Sequence, residues 1–204
     1  MPHTFERIAR AIAHARFSIV SVGIAYIVGL LFGALMVHAG SGFALRFRDR
    51  MVTDAQQTSP ILAQSQRGHR LAAAGLDASG NAAAGFLSML AGYGVPAGYW
   101  VAVSRGWVGG VVSVDGAHQS RLQTRYGAFY YITVILLQLI PYTLAGGAGV
   151  NLGIAAFGKT AWTGYEGTRI PWLRIPVEAL RDAGWIYLFA VPFFGIASLV
   201  EFTL

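Results

Sequence analysis

YGAFYYITVILLQLIPYTLAGGAGVNLGIAAFG, residues 126–158, runs for 33 positions without a charged side chain. As one straight helix it would be about 50 Å long, against roughly 30 Å of bilayer hydrocarbon. Pro141 and the glycines Gly146, Gly147 and Gly149 offer a place to break it. The expectation is therefore two half-length helices or a re-entrant hairpin, with the exposed backbone sheltered by protein or by a polar cavity. How this stretch is read decides whether the chain has four spans or five.

Outward from it lie three more charge-free stretches. Phe17 to Leu45 holds SIVSVGIAYIVGLLFGALMV and predicts a first span over about 17–39. Ala78 to Ser104 holds NAAAGFLSMLAGYGVPAGYWVAV and predicts a second over 81–104, kinked or broken at Pro96. Ala183 to Val200, ending at Glu201, predicts a last span over 183–203 that Pro192 can kink. A polar connector, 46–80, separates the first two and has room for one or two short amphipathic helices. In segment 159–182, Trp162, Tyr165 and Trp172 precede IPVEALRDAG, with Pro176 suited to a first helical position and Glu178 to a first turn, an interfacial helix feeding the last span. The expectation is one all-α membrane domain over residues 1–204, a polytopic transmembrane helical bundle of about four to five spans.

Composition agrees. The chain is 55% hydrophobic and 12% charged, with a mean hydropathy of +0.53, whereas a soluble domain carries roughly 25% charged residues. The net charge of +6 is nearly all arginine and is dispersed over several polar segments, which excludes a nucleic-acid footprint. Without cysteine there is no disulfide and no thiolate site. Arg7, Arg10 and Arg16 before the first apolar run resemble a signal-peptide n-region, but about 20 apolar residues exceed the usual 7–15. With the N-terminus cytoplasmic, a re-entrant 126–158 places Arg7, Arg10, Arg16, Arg105, Arg121, Arg125, Lys159, Arg169, Arg174 and Arg181 inside, and only Arg46, Arg48, Arg50, Arg67 and Arg70 outside. That arrangement satisfies the positive-inside rule and points to an inner (plasma) membrane location.

Small residues recur every four positions as Ser21, Ala25, Gly29 and Gly33, and again as Ala84, Ser88 and Gly92. Such stripes let helix backbones approach closely, inside one protomer or against a partner. Nothing ionisable falls inside a predicted span, although His38 and Glu201 stand at span ends, so charge-coupled transport and intramembrane metal sites find no residues. The five histidines show no ligand spacing, and hydrolase, zinc-protease and phosphate-loop motifs are missing. No catalytic, metal or cofactor-binding residue is expected. Gln138 needs an amide partner at membrane depth, from another helix or from a ligand. The run LAGGAGVNLG, with Gly146, Gly147, Gly149, Asn151 and Gly153, either packs closely or opens a backbone break with Asn151 capping a half-helix, as in some transporter sites.

Four places in order resemble the stage II sporulation protein M family. Asn81 followed by GFLSMLAGYG is similar to its Asn-led second span, and Arg105-Gly106-Trp107-Val108-Gly109 resembles its short Asn-Gly-x-x-x-Gly turn, with Arg105 where Asn is usual. Leu144 to Gly153 resembles its Ile-Ala-Gly-Ala-Ala-Gly-Leu-x-Leu-Gly run, and Ser198 to Thr203, with Glu201, its acidic closing tail. The resemblance covers residues 81–203. The chain departs at Val134, Ile135 and Gln138, where the family often has His-Gly and Glu, so no role needing that carboxylate carries over. The resemblance implies about five spans and, for the sporulation member, a scaffold in a wall-remodelling complex. The expected function is a non-enzymatic integral membrane scaffold or accessory subunit of a bacterial membrane protein complex. Its partners would be the lipid bilayer and other membrane proteins or copies of itself, with no nucleic acid. The alternative is a permease or channel component with a path along the glycine-rich break.

Overall fold

In the computed structural model, which describes residues 2–158, 164–165 and 168–203, helix dominates from end to end. The elements are α1 (Pro2–His38), α2 (Gly42–Thr58), α3 (Pro60–Gln66), α4 (Arg70–Tyr93), α5 (Pro96–Val111), a 3-10 turn (Arg121–Gln123), α6 (Arg125–Phe157), strands β1 (Arg169–Ile170) and β2 (Ile175–Pro176), and α7 (Val177–Thr203). The all-α class stands, with one two-stranded antiparallel ladder pairing Ile170 with Ile175. Among the described residues three helices are long and apolar enough to cross a membrane, over Thr4–His38, Arg125–Phe157 and Val177–Thr203.

The run that opened the sequence reading is one unbroken helix, neither broken nor re-entrant. Pro141 sits inside α6 and removes a single backbone donor. Away from its ends and the turn before Pro141, a helix satisfies its backbone groups internally, which favours helix wherever water is excluded, glycines included. The reversal lies instead at Gly94–Val95, where the chain leaves α4 and restarts at Pro96, the first position of α5, whose missing N–H costs nothing there. The span expected over 81–104 is thus the end of α4 and the start of α5. The 46–80 connector holds most of α2, all of α3 and the start of α4. Among the described residues the last helix starts directly after β2: Pro176 is the last strand residue, not a first helical position, and Glu178 stands in the first turn of α7 itself, as expected. Lys159 and Trp162 lie outside the described residues.

Glycine contacts give the direction of each helix. Gly106 on α5 faces Tyr26 and Leu30 of α1, and Gly110 faces Leu30 and Ala34, so α1 and α5 run in the same sense. Gly147 faces Ile19 and Gly23 faces Thr143, so α6 runs against α1. Gly149 faces Met89 and Gly153 faces Tyr93, so α4 runs with α6. With the N-terminus at the lower end, α1, α5 and α7 rise while α4 and α6 descend, and α4 and α5 form a helical hairpin. Six described arginines gather at the lower end (Arg7, Arg10, Arg16, Arg169, Arg174, Arg181) and seven at the upper (Arg46, Arg48, Arg50, Arg67, Arg70, Arg121, Arg125). Arg121 and Arg125 thus stand at the end opposite Arg7, Arg10 and Arg16, so the positive-inside argument for a re-entrant 126–158 does not hold.

The interior is rich in alanine, glycine and serine, including Ala11, Ala15, Ala145, Ala148 and Ser198, around a few large groups such as Phe194 and Ile186, while Phe17, Ile24, Leu31, Phe32 and Leu35 of α1 point outward. Large apolar groups outside and small ones inside suit a bundle solvated by lipid, which gives helices no hydrophobic reason to associate but rewards close backbone packing. At the lower end, Arg169 donates to the carbonyls of Ala155 and Arg174 at 3.2 and 3.0 Å, capping α6 with a cation where its dipole is negative.

Candidate functional site: a cavity with an arginine at its base

α5 and α7 both border α6 but make no substantial contact with each other, and a cavity of about 590 Å3 fills the cleft between them. Arg121 and Tyr130 line its upper part, with Tyr131, Gln138 and Glu201 further along the walls and Tyr26, Arg105 and Tyr142 at its base. Those last three residues also border a second void of about 10 Å3 beneath it, near the threshold for a single water. The opening is therefore a vestibule that ends at an aromatic layer, level with the middle of α1.

Arg105 occupies that layer. Its guanidinium carbon lies 4.2 Å from the Tyr142 ring centroid, a cation–π contact. Among the described residues no carboxylate is within ion-pair distance of it. The Tyr142 hydroxyl donates to Asn81 Oδ1 at 2.7 Å, and Asn81 Nδ2 donates to Asp77 Oδ2 at 2.8 Å. Ser198 Oγ donates to the same Asp77 oxygen at 2.7 Å. On the facing wall Gln138 Nε2 donates to Glu201 Oε2 at 3.0 Å, and the Tyr130 hydroxyl donates to the Glu201 main-chain oxygen at 2.9 Å. Gln138 thus has its helix-to-helix partner and also lines the cavity.

The other residues singled out in the sequence fall elsewhere. Gly146 borders the second, smaller void and faces the Val22 side chain, while Gly147, Gly149 and Gly153 face neighbouring backbone. They are packing surfaces: a Cβ on Gly149 would lie 2.7 Å from the carbonyl carbon of Met89, and one on Gly147 would lie 2.5 Å from the Cα of Ile19. Gly29 and Gly33 face the backbone at Val103 and Trp107, Ala25 packs in the same cluster, and the Ser21 hydroxyl shares a 2.7 Å hydrogen bond with that of Tyr99. This stripe is therefore spent on α5 inside the chain. Asn81 and Glu201 reach the cavity network, whereas Gly106 serves the α1–α5 contact.

Asn151 caps nothing, since it lies inside α6. Its Nδ2 donates to the Tyr165 hydroxyl at 3.1 Å, which donates to Asp182 Oδ2 at 3.0 Å, and His14 Nδ1 meets the same oxygen at 2.8 Å. Burial and then the Asp182 carboxylate push the Tyr165 phenol pKa up, so it stays a donor at any ordinary pH. This cluster ties Tyr165 to α6 and α7, and through Asp182 to His14 of α1. At the upper end Asp115 Oδ1 accepts from the Gln119 and Ala117 amides, each at 2.9 Å, and the Gln119 bond leads in holding the carboxyl below its usual range. His118 reaches Asp49 at 3.0 Å, and Arg48 donates to the same carboxylate at 3.0 Å.

Arg105 and Asp77 are the charged groups of this cluster that the sequence reading does not single out, because each stands at the edge of a charge-free run. A signal was present: Ala102, Gly106 and Gly110 continue a four-residue small stripe past Arg105, which places the arginine within a helix and not at its end. Among the described residues no three His, Asp or Glu side chains gather closely enough to hold a metal ion. Comparison with protein-family models, curated proteins and solved structures finds no match to this chain.

Proposed function

We propose that the chain is a non-enzymatic, multi-pass protein of the bacterial plasma membrane in which α1, α4, α5, α6 and α7 all cross the bilayer, and that it works as a permease-type component with the cavity as its ligand chamber. The observation that carries this reading is Arg105, a cation without an acidic partner at mid-bundle and facing open space. Ionisable groups at that depth are costly, and they mark ligand or ion paths more often than structure. Arginine placement is nearly even between the ends. The N-terminus is assigned to the cytoplasm because Arg7, Arg10 and Arg16 precede the first span, which usually dominates orientation. The cavity then faces the outer side.

The chain has no cysteine, so an introduced one reports cleanly. In proteoliposomes a membrane-impermeant thiol reagent should modify Ser104→Cys, on the cavity wall, as well as Ala117→Cys, exposed in the upper loop between α5 and the 3-10 turn. Modification of the second without the first, in folded protein, would overturn the chamber reading.

The scaffold reading rests on the family resemblance and on the broad apolar outer face of α1, which suits lipid and partner helices alike. Stoichiometric membrane subunits retained through gentle purification would favour it, whereas solute flux by the reconstituted chain alone would count against it.

A further inference from the structure

We infer that the chamber receives a phosphate group carried by a hydroxyl-bearing ligand, with the Arg105 guanidinium as the phosphate's binding partner. The inference deepens the chamber reading and rests on it. Two cations, Arg105 at the base and Arg121 toward the upper end, line the cavity against one carboxylate, Glu201, so the chamber carries an excess of positive charge. Arg121 is held by an Nε donation to the Val114 carbonyl at 3.4 Å and stands where an entering anion would meet it first. Arg105 is held from one side by the Tyr142 ring, which orients a planar fork of donors suited to phosphate geometry.

The one acid on the wall refines the ligand and does not exclude an anion. Glu201 is engaged by Gln138 through a single oxygen and forms no ion pair with Arg105. A ligand that satisfies both walls therefore has an anionic end for Arg105 and hydrogen-bond donors for Glu201. A phosphate ester of a small polyol has that pattern, whether free in solution or as the headgroup of a phospholipid.

The test uses the full chain carrying Ser104→Cys in detergent, with three probes: glycerol 1-phosphate, dihexanoyl phosphatidylglycerol and glycerol. The readouts are protection of the thiol from modification and calorimetric affinity. Saturable protection by glycerol phosphate and none by glycerol supports a soluble ligand. Protection by phosphatidylglycerol alone supports a lipid headgroup. Arg105→Gln should weaken either interaction by about tenfold or more, the range for a lost charge-assisted hydrogen bond. If that variant does not fold, Arg105→Lys is read in its place and should bind several-fold more weakly, because a point charge replaces the fork. Unchanged affinity in the variant read overturns the inference. So does failure of both phosphate probes with Ser104→Cys still reactive, and this outcome leaves the chamber standing. An unreactive Ser104→Cys without any probe overturns the chamber reading itself.

Discussion

The two halves of α6 obey different rules. From Pro141 to Ala156 all but one residue is buried, whereas between Tyr126 and Ile140 only Val134 is. In the lower half glycines bring the α6 backbone against those of α1 and α4 and leave only the void of about 10 Å3 beside Tyr142 and Gly146. In the upper half Tyr130, Tyr131 and Gln138 project into a cleft, and space remains. Side-chain size along one continuous helix therefore decides where the bundle closes and where it holds a chamber, with Tyr142 at the boundary.

The largest expected effect breaks the closed half. Gly149→Leu drives its side chain into the main chain at Met89, which cannot yield as a side-chain tip would, so a loss of about 3 kcal/mol or more is expected. Thermal unfolding and monodispersity in detergent read it. Gly184→Ala, with open space around its Cβ, should instead be neutral or gain up to about 1 kcal/mol. Equal damage from both would erase the contrast between packed and open faces.

An intermediate effect is expected at the boundary. Tyr142→Phe removes the donor to Asn81 but keeps the ring under Arg105, and should cost about 1 kcal/mol without collapse of the bundle. A drop as large as that of Gly149→Leu would mean that the polar network, and not close packing, holds the helices.

The smallest effect lies at the upper loop, outside both halves. Asp115→Ala should speed amide exchange at Ala117 and Gln119 several-fold at neutral pH, because both amides lose their acceptor. The folded pKa of Asp115 lies below the ordinary 3.8. Its contribution is therefore in place above that pH and is lost as the pH falls through the lower folded value. Exchange in the variant and the parent should converge in strong acid, and a difference that persisted there would assign the protection to something else.

Much of this architecture can be read from residues alone, and the failures have physical causes. The spans beginning near Phe17 and Ala183 follow from charge-free runs long enough for a bilayer. The break expected near Gly146 follows from soluble-helix propensities, which penalise Gly and Pro for exposing backbone to water. Inside a bundle the same glycines are rewarded for contact, so the helix continues. Arg105 looks like a terminus because charge ordinarily marks the water boundary, yet it lies within α5, which runs on to Val111. The meeting of Asp77, Asn81, Tyr142, Gln138, Ser198 and Glu201 depends on the register of three helices. No spacing within any one of them announces it.

The hairpin at Gly94–Val95 also bears on biogenesis. Neither of its arms is among the helices apolar and long enough to cross a bilayer alone, and α5, with 16 residues and an arginine, would enter lipid poorly by itself. Its glycine face matches α1, which the ribosome has already delivered. Insertion of the two arms as a unit against a waiting first helix would spare the translocon an unassisted arginine, and α1 would then act as an intramolecular chaperone for the helix that carries Arg105.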